Sequence, residues 1–397
     1  MLFESVQIQL PSEMKKMSIV RRRRTAVLWS AAVAGILAMP VHLGAKVAPT
    51  ELGSPIRLSS NENAFGYTPK AKEAMIAALD SGSYYNRNEV EKLIELCAVK
   101  EGVPSNHIMT TAGSGPLLMM TALAFAEPGA NVVTTEMGYT QLIRKFEARG
   151  GDLKFAPLSD EMGYDFEALG AEIDDNTKIV YICNPNNPTG VLADPIELKK
   201  FVLSVPPEIL VFVDEAYLEL ADSNFALNTC ASLVQVRENL IVTRTFSKGY
   251  GMAGFRIGYA VANPVVFEAI KDFHMGVPSF LAAIAAQEAI KDQVHLNKNI
   301  KQYQAVRRYV CEAFDQMGIT YAKPQGAFVY FNCGIKEDVL QEAMLENGIR
   351  ITGSRASGVE EGAFDDWARV SIGTKDQMDL FLLTLETLKT PVEMSSS

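Results

Sequence analysis

Lys248 follows Thr245-Phe246-Ser247, directly after the apolar run Leu240-Ile241-Val242-Thr243. An amine carried into a crevice by a buried strand loses solvation, its pKa falls, and it can form a Schiff base with an aldehyde. Taken alone, a lysine ending a strand is as simply explained as an exposed side chain, since most lysines are exposed. Asp214 sits in Phe212-Val213-Asp214-Glu215-Ala216-Tyr217. A buried carboxylate needs a partner, and a protonated pyridine nitrogen would be one; an N-cap of a new helix is the plainer alternative. Tyr217, three residues on, could donate to a phenolic oxygen of the same ring. Asn184-Pro185-Asn186-Asn187-Pro188-Thr189-Gly190 forms a rigid turn, because proline fixes φ and Asn and Gly accept tight bends. There Asn187 could offer its amide to the same oxygen, although a plain turn has this composition too. Gly113-Ser114-Gly115-Pro116 precedes an apolar helix, where free N–H groups suit an anion; on its own this is an ordinary glycine turn. Ser247 and Arg256 would add a hydroxyl and a guanidinium to that anion.

These groups can act together only if strands bring them to one edge. The runs Val132-Val133-Thr134, Ile179 to Ile182, Ile209 to Val213 and Leu240 to Thr243 are short, apolar and rich in β-branched residues. Amphipathic stretches near 116–126, 139–149, 194–204 and 264–273 lie between or beside them. That alternation predicts an α/β fold with a mainly parallel sheet and helices on both faces, and such sheets bind ligands at the carboxyl ends of their strands. After Pro278 the pattern changes to one long helix over 279–317 stopped by Gly318. Shorter strands at 327–331 and 369–372 and helices near 336–346 and 375–388 follow, forming a smaller α/β domain. Joined at one edge, the candidate residues describe a single ligand with an aldehyde, a pyridine nitrogen, a phenolic oxygen and a phosphate: pyridoxal 5′-phosphate (PLP).

The chain has 397 residues, 48% hydrophobic and 21% charged, with a formal net charge of −10. Only two of the 47 acidic residues but six of the 37 basic ones precede residue 46, so the remainder carries −14. That excludes the basic surface needed for nonspecific nucleic-acid binding. Cys97, Cys183, Cys230, Cys311 and Cys333 show no CxxC or paired spacing, so neither a zinc site nor a disulfide scaffold is expected.

The order Asn61-Glu62-Asn63, Asn184 to Gly190, Asp214 to Tyr217 and Arg244-Thr245-Phe246-Ser247-Lys248 through Gly258-Tyr259 closely resembles the class I/II aminotransferases, and within them the histidinol-phosphate aminotransferase branch. The resemblance covers about residues 55–390. It implies the fold-type I PLP-transferase fold, a homodimer with active sites at the interface, and transfer of an amino group from an amino acid or amino-alcohol donor to a 2-oxo acid such as 2-oxoglutarate. Lys248, Asp214 and Tyr217 are the implied catalytic residues. Gly113, Ser114, Tyr139, Asn187, Thr245, Ser247 and Arg256 join them in holding the cofactor, with Tyr139 stacked on its ring and Tyr85, or its neighbour Tyr84, reaching the neighbouring subunit's phosphate. Arg369 in Trp367-Ala368-Arg369 is the implied clamp on the substrate carboxylate, suited to bidentate pairing; Asn63 and Phe65 complete the substrate side. A decarboxylase resembling the threonine-phosphate enzymes and a racemase share these motifs. A non-catalytic PLP-binding sensor is the reading from another class, but nothing here encodes the DNA-binding domain such sensors carry.

The chain departs from the branch in several places. Ala64 follows Asn-Glu-Asn where Pro is usual, Tyr85-Asn86-Arg87 replaces Tyr-Pro-Asp, and Gly115-Pro116 replaces an acidic pair. Asn332 and Thr352 stand where two arginines hold the substrate's phosphate, although Arg350 and Arg355 lie near the second position. Each lost contact is worth about 1.5–3 kcal/mol, which argues against histidinol phosphate as the substrate. Finally, Arg21 to Arg24 and the apolar stretch ending at Ala45 read as an export signal of the twin-arginine kind, leading to the periplasm; an uncleaved anchor is the rival. Met14 or Met17 would give such a signal a more usual start. The expected organisation is a signal over 1–45, an arm over 46–75 serving the small domain and active site, a large PLP-binding domain over 76–275, and a small domain with its linking helix over 276–397.

Overall fold

The computed structural model describes residues 54–354, 362 and 364–389. The export segment and Arg355 lie outside them. No helix among the described residues is long and apolar enough to cross a membrane.

The β-branched runs pair into one seven-stranded sheet. Its strands are β1 (Ile108–Thr111), β2 (Asn131–Thr135), β3 (Asp152–Ala156), β4 (Thr177–Cys183), β5 (Leu210–Asp214), β6 (Leu240–Thr245) and β7 (Gly258–Ala262). Their spatial order is β1-β7-β6-β5-β4-β2-β3. Every pair is parallel except those of β7, which runs antiparallel to both β1 and β6. Side chains alternate between two cores, as the pleat requires. Val211, Val213, Val242 and Val261 enter one; Leu210, Phe212, Ile241 and Ala260 enter the other. Both faces are thus covered, which explains why the central strands read as continuous apolar runs rather than alternating ones.

Helices begin where the sequence supplies caps. Asp194 accepts from the N–H groups of Ile196 and Glu197 at the start of Pro195–Ser204, and Asn263 accepts from Val265 ahead of Pro264–Ile270, satisfying donors that have no partner within the helix. The single helix expected over 279–317 is instead two, Phe280–Lys291 and Gln293–Gln316. Asp292 interrupts them at φ −92° and ψ 65°. Its carboxylate accepts from the Thr68 hydroxyl at 2.6 Å and from the His295 N–H. A short acid that bonds its own backbone competes with helix continuation, and helical periodicity alone does not reveal it.

The two helices also serve different cores over most of their length. Ala282, Ala283, Ala285, Ala286 and Ala289 of the first helix bury themselves against the large sheet. Tyr303, Val310 and Phe314 of the second enter a separate core. Leu296, near the start of the second helix, still belongs to the first core, so the second helix itself passes from one core to the other. The second core backs a four-stranded sheet in which Phe328–Asn332 and Trp367–Ser371 are central and antiparallel. The N-terminal arm joins this part: Ile56–Arg57 pairs with Ile349–Arg350, and Ser371 donates to the Leu58 carbonyl at 2.8 Å.

Phe314 is fully buried and meets Phe331 at 4.9 Å and Phe381 at 6.3 Å between ring centroids. Phe314→Ala is expected to lower stability by about 3–5 kcal/mol, read as a drop in the denaturant midpoint. An unchanged midpoint would show that this core does not support the small sheet.

Candidate active site

β5 and β6 end side by side, with Asp214 opposite Thr243 in register. Alternation sends Asp214, Thr243 and Thr245 to one face, and Glu215 and Arg244 to the other. Asp214 is buried and accepts from the Thr243 hydroxyl at 3.0 Å and the Ala216 N–H at 3.2 Å, both at Oδ1. Burial pushes its carboxyl up to about 6, although those two donors and the Lys248 cation work in the opposite direction.

Three residues past β6, the Lys248 amine donates to the backbone carbonyls of Ser60 at 3.2 Å and Asn61 at 3.0 Å. It lies 5.5 Å from the centroid of the Tyr217 ring. Burial, followed by the nearby Arg369 guanidinium, pushes this amine down to about 8, against the pull of Glu62. Carbonyl oxygens cannot neutralise a cation, so the amine is held without a direct counter-ion.

Tyr217 is buried, and its hydroxyl accepts from Asn61 Nδ2 at 3.0 Å. Asn187 lies after β4 in the Asn184–Gly190 turn and accepts from Arg369 Nη1. Arg369, on the central small-domain strand, also donates from Nη2 to the Ser59 carbonyl at 2.8 Å; its buried Nε has no hydrogen-bond partner among the described residues. The large-sheet and small-sheet candidates therefore meet across the arm residues Ser59 to Asn63.

A second cluster forms around Gly113. This residue has φ +86°, and a Cβ there would collide with the Arg256 guanidinium. Gly258 approaches the backbone of Gly113 and Ser114 so closely that a Cβ would lie 2.7 Å from each. Arg256, itself at φ 55°, reaches Ser247 Oγ at 3.4 Å and the Ala253 carbonyl at 3.0 Å. Thr245 Oγ1 accepts from the Ser247 N–H at 3.1 Å. Ser114 opens the helix Gly115–Phe125 without capping it through its side chain. The result is a cationic pocket at a helix N-terminus, which is a setting for a phosphate. Tyr139 stands beside it, donating to Gln141 Oε1 at 3.0 Å.

The remaining expected residues fall differently. Tyr85 is 97% exposed and meets none of these groups in its own chain. The Asn63 amide donates to the carbonyls of Lys248 and Gly249 at 2.9 and 3.1 Å, so it ties the arm to the lysine turn. Phe65 packs edge-on against Tyr303 at 5.1 Å. Sequence reasoning did not assign Asn61, Ser371 or the buried pair Arg244–Glu215 to the site. The last left a signal: each is a charge set within or beside an apolar strand, and a buried charge requires a partner.

The donor set fits PLP. A buried acid whose Oδ2 accepts no hydrogen bond among the described residues faces the same crevice as a depressed amine, a tyrosine hydroxyl, an asparagine and a cationic pocket. Residues 54–385 match the family described as Aminotransferase class I and II. The histidinol-phosphate aminotransferase of Geobacillus thermodenitrificans is 32% identical over 335 residues, covering 84% of this chain and 90% of that one. Among solved structures, a putative histidinol-phosphate aminotransferase from Erwinia carotovora atroseptica superposes with a TM-score of 0.77 at 28% identity, covering 84% of this chain and 96% of that one. The Sinorhizobium meliloti histidinol-phosphate aminotransferase, solved with pyridoxal-5′-phosphate, gives 0.75 at 27% identity, covering 84% and 92%.

Without its cofactor, Asp214 is a buried acid lacking a cationic hydrogen-bond partner. Its folded pKa lies above the ordinary value of 3.8. The folded chain therefore keeps a proton that the unfolded chain releases, and this contribution to stability is complete at low pH and lost as pH rises through about 6. Cofactor-free Asp214→Asn is expected to be more stable than the parent at about pH 8, by up to about 3 kcal/mol, and to lose that advantage near pH 4. Thermal melts at both pH values test this; an identical difference at both would refute the burial account.

Proposed function

Since the chain belongs to the class I and II aminotransferases and is a PLP-dependent transaminase, we propose that Lys248 is its catalytic lysine and that Asp214, Tyr217 and Arg369 direct the chemistry around it. The observation carrying this reading is the Lys248 amine, pushed down to about 8 and held only by two backbone carbonyls beside the Tyr217 ring. An amine depressed this far is substantially neutral near pH 8 and can take a proton.

Bound here, PLP supplies a carbonyl that captures amines and a ring that withdraws electrons. Asp214 would hold a proton on the ring nitrogen, a role that a buried carboxylate without a cationic partner favours. Asn187 and Tyr217 would hold the ring oxygen, and Tyr139 would cover the ring face. The N–H groups at Gly113 and Ser114, with Thr245, Ser247 and Arg256, would hold the phosphate. Lys248 Nζ would accept the proton from the substrate's α-carbon and deliver it to the carbon that the cofactor's carbonyl contributes, on the far side of the transferred nitrogen. Arg369 would exchange its bonds to Asn187 and Ser59 for the two oxygens of the substrate carboxylate, fixing orientation as well as charge.

The amino donor we propose is not a phosphate ester. Thr352, Arg369 and Tyr330 are direct cross-strand partners and so share a face, as do Asn332 and Trp367. Tyr330 and Trp367 stack at 4.9 Å beside Phe364, Met162 and Val191. Tyr330 itself is fully buried, so among the described residues that face offers the partly buried Trp367 and Phe364 rather than a second cation, which favours an apolar or aromatic donor side chain. The acceptor is a 2-oxo acid such as 2-oxoglutarate, on the family's pattern. We also propose a homodimer in which exposed Tyr85 serves the neighbouring site, and export of the chain through the Arg21–Arg24 segment.

Borohydride reduction of the holoenzyme followed by peptide mapping is expected to tag Lys248, and Lys248→Ala to lose at least about 100-fold in turnover. A donor screen with 2-oxoglutarate should favour aromatic and aliphatic amino acids over histidinol phosphate. A tag elsewhere, or wild-type turnover without Lys248, would overturn the assignment. For export, N-terminal sequencing of protein recovered from the periplasm should start beyond residue 45; an intact N-terminus in the cytoplasm would refute it.

A further inference from the structure

Asn61 is 2% exposed and sits at φ 52°, a left-handed conformation that is uncommon outside glycine and that asparagine tolerates better than most residues. Held strain of this kind is a reason to look for a task. Four hydrogen bonds converge on the residue. Its N–H donates to Ser371 Oγ at 2.8 Å, and Ser371 Oγ donates to Asn61 Oδ1 at 2.8 Å. Asn61 Nδ2 donates to the Tyr217 hydroxyl oxygen at 3.0 Å, and the Asn61 carbonyl accepts from Lys248 Nζ at 3.0 Å.

The directions of these bonds are coupled. A serine hydroxyl has one proton. Because Ser371 Oγ already receives the Asn61 N–H, that proton goes to Oδ1. This fixes which end of the amide carries the oxygen and leaves the NH₂ end facing Tyr217. The tyrosine oxygen is then an acceptor toward Asn61, so its own single proton is free for the crevice. The ring cannot turn away, because it is buried, packs edge-on against Phe328 at 5.1 Å and has the Lys248 amine above it at 5.5 Å. Receiving a hydrogen bond also polarises the O–H and strengthens it as a donor.

We propose that Asn61, oriented by Ser371, is a positioning residue that sets the polarity of Tyr217, directing its proton toward the cofactor's ring oxygen. This rests on the reading that Tyr217 meets that oxygen. A donor there stabilises negative charge on the ring oxygen, so the bound chromophore releases its proton at lower pH. An aspartate at position 61 would reverse the arrangement, drawing the tyrosine proton to its own carboxylate.

The test is the pH midpoint of the visible absorption of the reconstituted holoenzyme, with cofactor affinity measured alongside. Asn61→Asp is expected to raise the midpoint by about one unit. Tyr217→Phe is expected to raise it also, and Asn61→Asp to add little in the Tyr217→Phe background. Ser371→Ala, which leaves both other side chains in place, should shift it upward by less. An unchanged midpoint in both Asn61→Asp and Ser371→Ala would overturn the proposal. So would an equal shift from Asn61→Asp with and without the Tyr217 hydroxyl, which would mark a simple field effect. A wild-type protein with no absorbing cofactor would overturn this proposal and the reading beneath it together, whereas a normal wild-type titration with inert variants would overturn only this one.

Discussion

Arg244 Nη1 lies 2.8 Å from Glu215 Oε2, with both side chains buried, on the face of β5 and β6 opposite to Asp214 and Thr243. The pair joins the two strands whose ends carry the acid and the lysine. It is extended by Glu101, 3.4 Å from Arg244, and by Lys100, which reaches Glu101 at 3.2 Å and Glu219 at 3.8 Å. Tyr259 on β7 donates to Glu101 at 2.6 Å, so a third strand is bound in. Burial opposes ionisation of Glu101, but Arg244 and Lys100 override it and hold its carboxyl at about 2, whereas burial pushes Glu215 up to about 6. Such a network is weak evidence for stability as such, because desolvation offsets much of the attraction. Losing one partner would leave a buried charge unmatched, at a cost of about 3–5 kcal/mol. Its geometric consequence is that the ends of β5, β6 and β7 cannot slide independently.

That rigidity matters because the opposite face carries groups in unfavourable protonation environments. Asp214 is buried without a cationic hydrogen-bond partner, and Lys248 is depressed by burial and by Arg369. Each is uncomfortable alone, and a ring nitrogen and a carbonyl would relieve both. Perturbed acids and bases gathered in one crevice are what catalysis at neutral pH requires. The arm supplies the remaining constraint. Its carbonyls at Ser59, Ser60 and Asn61 accept from Arg369 and Lys248, so one short segment sets the spacing between the amine and the guanidinium.

Much of this was legible in the chain. The four apolar runs became β2, β4, β5 and β6, since residues buried on both faces of a sheet leave an unmistakable composition. Motifs at the strand ends were readable for the same reason: chemistry-bearing residues interrupt apolar runs there. β1, β3 and β7 lack that apolar, β-branched signature. β3 has an exposed or half-buried pattern apart from Ala156, and β7 is a small-residue strand whose direction depends on its partners. The break at Asp292 was hidden because helical periodicity continues on both sides of it, and only the folded backbone shows the acid capping the His295 N–H while it also accepts from the distant Thr68 hydroxyl.

Sequence alone pointed to the family, the transaminase chemistry and the cofactor, and it nominated a lysine, an acid and a tyrosine because chemically distinctive residues there close apolar strands; the arginine was nominated only by the family resemblance. Tertiary structure alone decided how they are wired. That Asn61 touches Tyr217 across 156 positions and Ser371 across 310, or that Asn63 holds the lysine turn, is invisible to local pattern. Hydrogen-bond direction and desolvation depend on which distant groups fold to within about 3 Å of one another, and the spacing of residues along a chain carries no record of that.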